Sequence, residues 1–332
     1  MKLIIPMAGI GKRMRPHTLT VPKPLLRVAG ESIVSRIIND FADNSGKKVT
    51  EIHYIIGQFG KKVEDTLLNI AKAVDANGFI HYQKTALGTA HAIFCAEKAL
   101  NNEVCIAFAD TLYFGDISIS ETDEAIIWTY EVENPESYGV VLIDEKEYIK
   151  GFIEKPKERI SNRAIVGMYY FKHGEALKKH INELIEQDRK VNGEFQITDA
   201  LENMLKLGIN FKSKNISGWL DFGKKDNFIV SLKAVLEREK AENKNENEFD
   251  NTVIIEPVYL GENVKIRNSK IGPYVSIDTG TDIDNSEIVH SSIGSDSKIV
   301  NCDLNESIIG SVSSVTGFRG ELNIGDYNEI KT

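Results

Sequence analysis

The chain has 332 residues, 42% of them hydrophobic and 27% charged, with a formal net charge of −9. That length predicts two domains, and the acidic balance argues against broad nucleic-acid binding. No apolar run approaches the ~18–20 residues that span a bilayer, and Leu3-Ile4-Ile5 before Pro6 is too short for a signal peptide, so a cytoplasmic protein with no membrane partner is expected.

Residues 2–7 read as a short buried strand, followed by a loop rich in Gly, Pro and basic residues. Ile33, Ile37, Ile38 and Phe41 then fall at helical spacing. A strand at Ile52–Ile56, a helix through Val63, Leu67 and Leu68, a strand near Phe79–Tyr82, a helix near Thr89–Leu100 and a strand at Val104–Ala107 continue the alternation. Such alternation predicts a mainly parallel sheet with helices on both faces, and ligands outside the carboxyl ends of its strands. The middle of the chain changes character. Short strands at Ala125–Glu131, Gly139–Ile143, Tyr148–Ile153 and Ile165–Phe171 have tight connections, and helices near Gly174–Gln187, Gln196–Leu207 and Asn227–Leu236 follow.

Residues 237–250 are polar, with six acids and three bases, and read either as a linker or as a helix extension. From about residue 253 aliphatics recur every five or six positions, from Leu260, Ile266, Ile271 and Ile277 through to Ile299, Leu304 and Ile309. Gly follows five aliphatics, as in Leu260-Gly261, Ile293-Gly294 and Ile309-Gly310. This is the hexapeptide pattern of a parallel β-helix, about four coils of roughly eighteen residues each.

The chemistry concentrates early. Residues 12–27 hold Lys12, Arg13, Arg15, Lys23 and Arg27 with no acid among them, which suits a small polyanionic ligand. Gly9 and Gly11 let backbone N–H groups approach phosphate oxygens, and Pro22 and Pro24 stiffen Lys23 in an extended segment. It is not a Walker loop, because Gly11-Lys12 is followed by Arg13, nor a dinucleotide fingerprint, because Met14 stands where the third glycine belongs. Cys95, Cys105 and Cys302 form no Cys-x-x-Cys pair and read as buried, reduced thiols. His17, His53, His81, His91, His173 and His180 show no metal-ligand or triad spacing and read as structural.

The separated motifs Gly9-Ile10-Gly11-Lys12-Arg13, Pro22-Lys23-Pro24, Gln83 with Leu87-Gly88-Thr89-Ala90, Ala109-Asp110-Thr111, Tyr138-Gly139-Val140-Val141, Glu154-Lys155-Pro156, Gly193-Glu194-Phe195-Gln196 and Trp219-Leu220-Asp221-Phe222-Gly223 occur in one order over residues 1–236. In this the chain resembles the sugar-nucleotide pyrophosphorylases, above all the glucose-1-phosphate thymidylyltransferases that carry a hexapeptide tail. Lys12 stands where that family usually has Thr. The resemblance implies an α/β fold: a Rossmann-like mixed sheet over residues 1–236, a linker or helix extension over 237–251, and a short left-handed parallel β-helix over 252–330.

It also implies roles. A nucleoside triphosphate and a sugar 1-phosphate would react to give a nucleotide sugar and pyrophosphate, with Arg13, Lys23 and Asp110 catalytic. Ala8, Gly9, Gly11, Lys12, Arg13, Gln83 and Gly88 would bind the nucleotide. Tyr138, Gly139, Glu154, Lys155 and Glu194 would bind the sugar phosphate, and Asp110 and Asp221 would hold Mg2+, a hard ion suited to carboxylate and phosphate oxygens. Gln83 with the Gly88 backbone suits a pyrimidine, so dTTP or UTP leads, with glucose 1-phosphate as the first acceptor.

Two alternatives remain. A non-catalytic regulatory homologue would be expected to lose Lys23, Asp110 or Asp221, and all three are present. A bifunctional enzyme would use His290, within the coils, for acyl transfer, but no long loop is there to close an acyl-donor site. The tail is expected to pair chains into a homo-oligomer and to be dispensable for the chemistry.

Overall fold

A computed structural model describes residues 1–239 and 249–332. By its internal packing the chain divides into two units, Met1–Gly9 with Val34–Trp219 and Ile10–Ile33 with Leu220–Thr332.

Near-continuous apolar runs build the central strands of the first unit's sheet. Its strands are β1 (Lys2–Pro6), β2 (Glu51–Ile56), β3 (Asn77–Tyr82), β4 (Val104–Ala107), β5 (Ala125–Glu131), β6 (Gly139–Ile143), β7 (Ile149–Glu154), β8 (Arg163–Phe171) and β9 (Phe211–Asn215). The order is β7-β6-β8-β4-β1-β2-β3, with β5 pairing both β8 and β9. Strands β4, β1, β2 and β3 are parallel, in register Leu3↔Ile52 and Leu3↔Cys105. Here the parallel expectation holds. Beyond β4 the sheet is mixed, as the resemblance implied: β8 runs antiparallel to β4, β5 and β6, and β9 pairs parallel with β5. Tight connections force that reversal. The turn from β6 to β7, for example, is closed by Asp144 Oδ1, which accepts the N–H groups of Lys146 and Tyr148 at 2.9 Å each.

The helices are α1 (Ile33–Asn44), α2 (Lys61–Ala73), α3 (Thr89–Phe94), α4 (Gly174–Glu186) and α5 (Ile197–Lys206). Ile37, Ile38 and Phe41 of α1 are buried, as are Val63, Leu67 and Ala71 of α2, which is the helical periodicity read in the sequence. The single helix expected over 89–100 is shorter. It stops at Phe94, and a 3-10 turn at Glu97–Ala99 follows.

In the second unit, residues 253–331 form three parallel five-stranded sheets, the faces of a left-handed parallel β-helix. Ile266, Ile283, Ile299 and Val315 stack on one face, Ile271, Ile288 and Leu304 on another, and Ile277, Ile293 and Ile309 on the third. There are five rungs rather than four. Val253, Lys270, Glu287, Asp303 and Arg319 pair in series, so a rung takes 16 or 17 residues here, not eighteen. Short corners account for the difference, with Asn268, Asn285 and Asn301 in the left-handed region at successive turns. The Gly after each aliphatic has a steric cause: an added Cβ at Gly294 would come 2.6 Å from Ser311 N of the next rung. Buried serines satisfy the corners, with Ser269 Oγ accepting from Ser286 N and Ser286 Oγ from Cys302 N, both at 3.0 Å.

Helix α6 (Lys225–Glu239) covers the start of the segment expected to be a linker or helix extension; residues 240–248 of it lie outside the described residues. The packing boundary also differs from an expected first domain of 1–236. Residues 10–33, with 3-10 turns at Lys12–Met14 and Lys23–Leu25 and a hairpin pairing Arg27–Val28 with Glu31–Ser32, pack with the β-helix.

Candidate active site

In the first unit β1, β2, β3 and β4 end at Pro6, Ile56, Tyr82 and Ala107, so the segments beginning at Met7, Gly57, Gln83 and Phe108 leave one edge of the sheet. Ala8 lies next to Gly57, where an added Cβ would come 3.4 Å from the Ala8 carbonyl oxygen, and Gly9 is exposed.

Gln83 is fixed at that edge. Its backbone N–H donates to Ile56 O at 3.0 Å, and its side-chain Nε2 donates to Gly88 O at 3.2 Å and to His91 Nδ1 at 3.1 Å. Burial lowers the pKa of His91, which favours the neutral ring and leaves Nδ1 an acceptor. Both amide protons of Gln83 are thereby used, and Oε1 is left to accept.

Gly88 (φ 104°) has no room for a side chain, since an added Cβ would lie 2.5 Å from Phe195 O and 2.9 Å from Glu194 Cβ. Phe195 N donates to Leu87 O at 2.8 Å, and Ala90 N to Phe195 O at 3.0 Å. The two expected motifs at Gln83–Ala90 and Gly193–Gln196 are thus brought together. Glu194 is exposed and accepts from Gln196 Nε2 at 3.1 Å.

Tyr138, Gly139, Glu154 and Lys155 also meet. Glu154 pairs with Gly139 across β6 and β7, and Lys155 N donates to Tyr138 O at 3.0 Å. The Glu154 carboxyl end lies over Gly139, where an added Cβ would come 2.9 Å from Oε2, and desolvation raises its pKa. Lys155 is exposed, with its backbone in the left-handed region at φ 46°. The Tyr138 ring centroid is 5.0 Å from that of Trp219. Asp110 follows β4 and is partly buried; Phe108 N, two residues earlier, donates to Gly167 O at 2.9 Å.

In the second unit Gly11 takes a left-handed conformation (φ 61°, ψ 35°), and its carbonyl accepts from Thr18 Oγ1 at 2.8 Å and Met14 N at 2.9 Å. Lys12 and Arg13 are exposed, and Lys23 is half-buried. Among the described residues no protein acceptor takes the N–H groups of Gly11, Lys12 or Arg13, so these donors can face an anion. An added Cβ at Gly11 would lie 3.3 Å from Lys23 Cβ, so the two lysine- and arginine-bearing turns curl toward each other.

Asp221 Oδ1 accepts Gly223 N–H at 2.7 Å, and Oδ2 accepts from Asn227 Nδ2 at 2.5 Å. An added Cβ at Gly223 would be 2.8 Å from Asp221 Oδ1 and 3.2 Å from Arg13 Nη2, so a side chain at this position would crowd both groups. Among the described residues no three His, Cys, Asp or Glu side chains cluster as a complete metal cage. That donor set suits Mg2+, which is commonly held by one or two carboxylates together with substrate phosphates and water. Each Asp221 oxygen, with one hydrogen-bond donor, keeps a lone pair for it.

Sequence reading missed several contributors. His91 orients Gln83, and Asn227 and Gly223 fix Asp221. His17, read as merely structural, donates from Nε2 to Asn323 Oδ1 at 2.6 Å, Thr20 Oγ1 donates to Asp326 Oδ2 at 2.6 Å, and Arg27 Nε pairs with Asp278 Oδ2 at 3.3 Å. Only the basic run to Arg27 hinted at any of these. Through them the segment expected to bind phosphate rests on the tail. His290, the alternative acyl-transfer residue, sits at a corner (φ 46°) with its ring 5.4 Å from that of Tyr274, which in turn donates to Glu237 and lies under Lys233 Nζ. Cys105 and Cys302 are buried and Cys95 is half-buried, all as free thiols.

A family model described as nucleotidyl transferase matches residues 2–238. The low-salt glycan biosynthesis nucleotidyltransferase Agl11 of Haloferax volcanii is 28% identical over the whole of both chains. A glucose-1-phosphate thymidylyltransferase of Streptomyces antibioticus is 28% identical, over 96% of this chain and 90% of its own. The crystal structure of a UDP-glucose pyrophosphorylase complexed with UDP-glucose superimposes with a TM-score of 0.57 at 22% identity, over 71% of this chain and 98% of that one, a likeness of fold. No helix among the described residues is long and apolar enough to cross a membrane.

Proposed function

Because the chain belongs to the nucleotidyl transferase family, we propose that it transfers the nucleotidyl group of dTTP or UTP to a sugar 1-phosphate, glucose 1-phosphate first, and releases pyrophosphate. The observation that carries the choice of base is the fixed amide of Gln83. With Nε2 donating to Gly88 and His91, only Oε1 faces a ligand, and it accepts the N3–H that thymine and uracil carry and cytosine lacks. A thymidylyltransferase among the relatives supports the same choice.

The reaction joins two anions. An oxygen of the sugar phosphate forms a bond to the α-phosphorus, the bond from that phosphorus to the bridging oxygen breaks, and pyrophosphate departs with the electron pair. Such a reaction needs positioning and charge rather than a covalent nucleophile. The N–H groups of Gly11 and Lys12 receive phosphate oxygens. Arg13 and Lys23 offset charge at the α-phosphate and the leaving group. Lys155 holds the incoming sugar phosphate, and Glu154 and Glu194 accept from sugar hydroxyls beside Tyr138 and Gly139. Asp110 and Asp221 would hold Mg2+, which when bound neutralises charge on the phosphates.

The test is a pyrophosphate-release assay crossing dTTP, UTP, CTP and GTP with a panel of sugar 1-phosphates. Turnover led by dTTP or UTP is expected. Preference for CTP or GTP with every acceptor defeats the choice of base, and absence of turnover with all pairings defeats the reading as a whole.

A further inference from the structure

Alternation along a β-helix strand sends every second side chain outward. On the face built from Val258–Leu260, Val275–Ile277, Ser292–Ile293, Ile308–Ile309 and Asn323–Ile324, the outward residues are unusual. Ser276, between core residues Val275 and Ile277, is 2% exposed, and Ile308, beside core residue Ile309, is 5% exposed. Outward side chains are buried only if something covers the face. The cover is the signature segment of the same unit.

The contacts run along that segment. Pro16 meets Gly325, where an added Cβ would come 3.2 Å from Pro16 Cβ; His17 donates to Asn323 and Thr20 to Asp326. Arg27 pairs with Asp278, a carboxylate 6% exposed, and Gly30 lies against the Tyr259 ring, where an added Cβ would be 2.1 Å from Cζ. Packing between segment and face is close at Pro16 and at Gly30 and looser between them. A cavity of about 160 Å³ lies between them, lined by Met14, Val21, Leu25, Ser292, Ile308 and Asp278 among others. With apolar contact interrupted there, the polar links carry much of the register.

We infer that the β-helix is a positioning element for nucleotidyl transfer: Asp278, Asn323 and Asp326 hold the segment that carries Gly11, Arg13 and Lys23 in its working conformation. The inference rests on the reading of that segment as the phosphate-binding loop. None of the three residues touches substrate. They act through Arg27, His17 and Thr20, and a displacement of a charged loop by an ångström is enough to lower the rate of phosphoryl chemistry strongly.

The test uses the full chain with Asp278→Asn, and separately with Thr20→Val combined with Asn323→Ala, whose side chains are solvent-exposed and whose loss leaves the core intact. Lys298→Ala, on a different face, is the control. Amide hydrogen exchange is read over residues 10–24, and kcat and KM are read from pyrophosphate release. Faster exchange confined to that segment, a kcat lower by about tenfold and a KM for the sugar 1-phosphate within about twofold of the parent are expected. Folded variants with parental exchange and parental kcat overturn the inference. If Asp278→Asn fails to fold, the surface pair alone decides. If the parent chain turns over no nucleotide with any sugar phosphate, the functional reading falls, and exchange in residues 10–24 still reports whether the β-helix orders the loop.

Discussion

His91 Nδ1 lies 3.1 Å from Gln83 Nε2, and burial holds the imidazole pKa below its ordinary value. At neutral pH the ring nitrogen accepts and the amide donates, and Gln83 Oε1 is the atom proposed to meet the base. Once pH falls through the depressed His91 pKa, Nδ1 gains a proton and donates. Turning the amide to offer Oε1 to His91 gives up its bond to Gly88 O and leaves Nε2 for the base. Thymine and uracil present a donor at N3, cytosine an acceptor. The ratio of kcat/KM for UTP over CTP should therefore fall with decreasing pH, by about tenfold for one exchanged hydrogen bond. His91→Phe should flatten the profile. A ratio independent of pH in the parent chain would show that His91 does not set the amide.

The two carboxylates proposed for Mg2+ make a second prediction. Asp221→Asn keeps a hydrogen-bond acceptor for Asn227 and removes the charge proposed to hold Mg2+. Asp110→Asn changes charge with little change of shape. Each should lower kcat by about 100-fold or more at saturating substrates while the melting temperature moves by only a few degrees. Near-parental kcat in both would sink the metal assignment.

How much of this was legible depends on the range over which a residue acts. Ala125–Glu131 and Gly139–Ile143 could be read to the residue because short apolar, β-branched runs between turns carry their own signal. The β-helix was legible through Ile266, Ile283 and Ile299, whose inward stacking repeats a local pattern. Arg27 was not. It stands in a run that sequence alone assigns to a polyanion, yet its charge is directed at Asp278, far along the chain, and no local spacing reports such a pair. His91 was missed for a similar reason: its partner is an uncharged amide eight positions earlier, outside any ligand or triad spacing.

The histidines also set a pH dependence of stability. Burial is the largest influence lowering His17, His53, His81 and His91 below the free value of 6.5. Between each depressed pKa and that value the unfolded chain binds more protons than the folded one. Stability should therefore rise with pH through that window and fall as the solution is acidified from neutral. Melting temperatures at a series of pH values from 5 to 7 check it, and His53→Phe, which removes the titrating imidazole between Glu51 and His81, should reduce the slope.

The corner glycines of the β-helix give a stability prediction with a steric cause. At Gly294 an added Cβ would lie 2.6 Å from Ser311 N and 2.8 Å from Gly310 C, both backbone atoms of the next rung that no side-chain rotation can move. Gly294→Ala must spread two rungs, at a cost of about 1–3 kcal/mol. Gly46→Ala, with nothing within 4 Å of the new methyl but a φ of 70°, should cost less, about 1–2 kcal/mol from backbone strain alone. Denaturant midpoints of the two variants decide the order; a reversed order would mean that the rungs spread readily.

Lys23 and Lys155 should fail in different ways. Lys23 adjoins Gly11 in the loop that the β-helix holds, and its charge is proposed to act on the α-phosphate as the bond to pyrophosphate breaks. An interaction that strengthens only in the transition state appears in kcat, so Lys23→Ala should lower kcat by about 100-fold with a modest change in KM for either substrate. Lys155 stands beyond β7, its N–H tied to Tyr138 and its side chain exposed. Its proposed partner, the sugar phosphate, carries its charge before and during transfer, so the contact is made in the ground state as well. Lys155→Ala should therefore raise KM for the sugar 1-phosphate by about tenfold and leave kcat within a few-fold of the parent. Initial rates over a grid of both substrate concentrations separate the two defects, and the same kinetic defect in both variants would mean that one lysine does not serve each substrate.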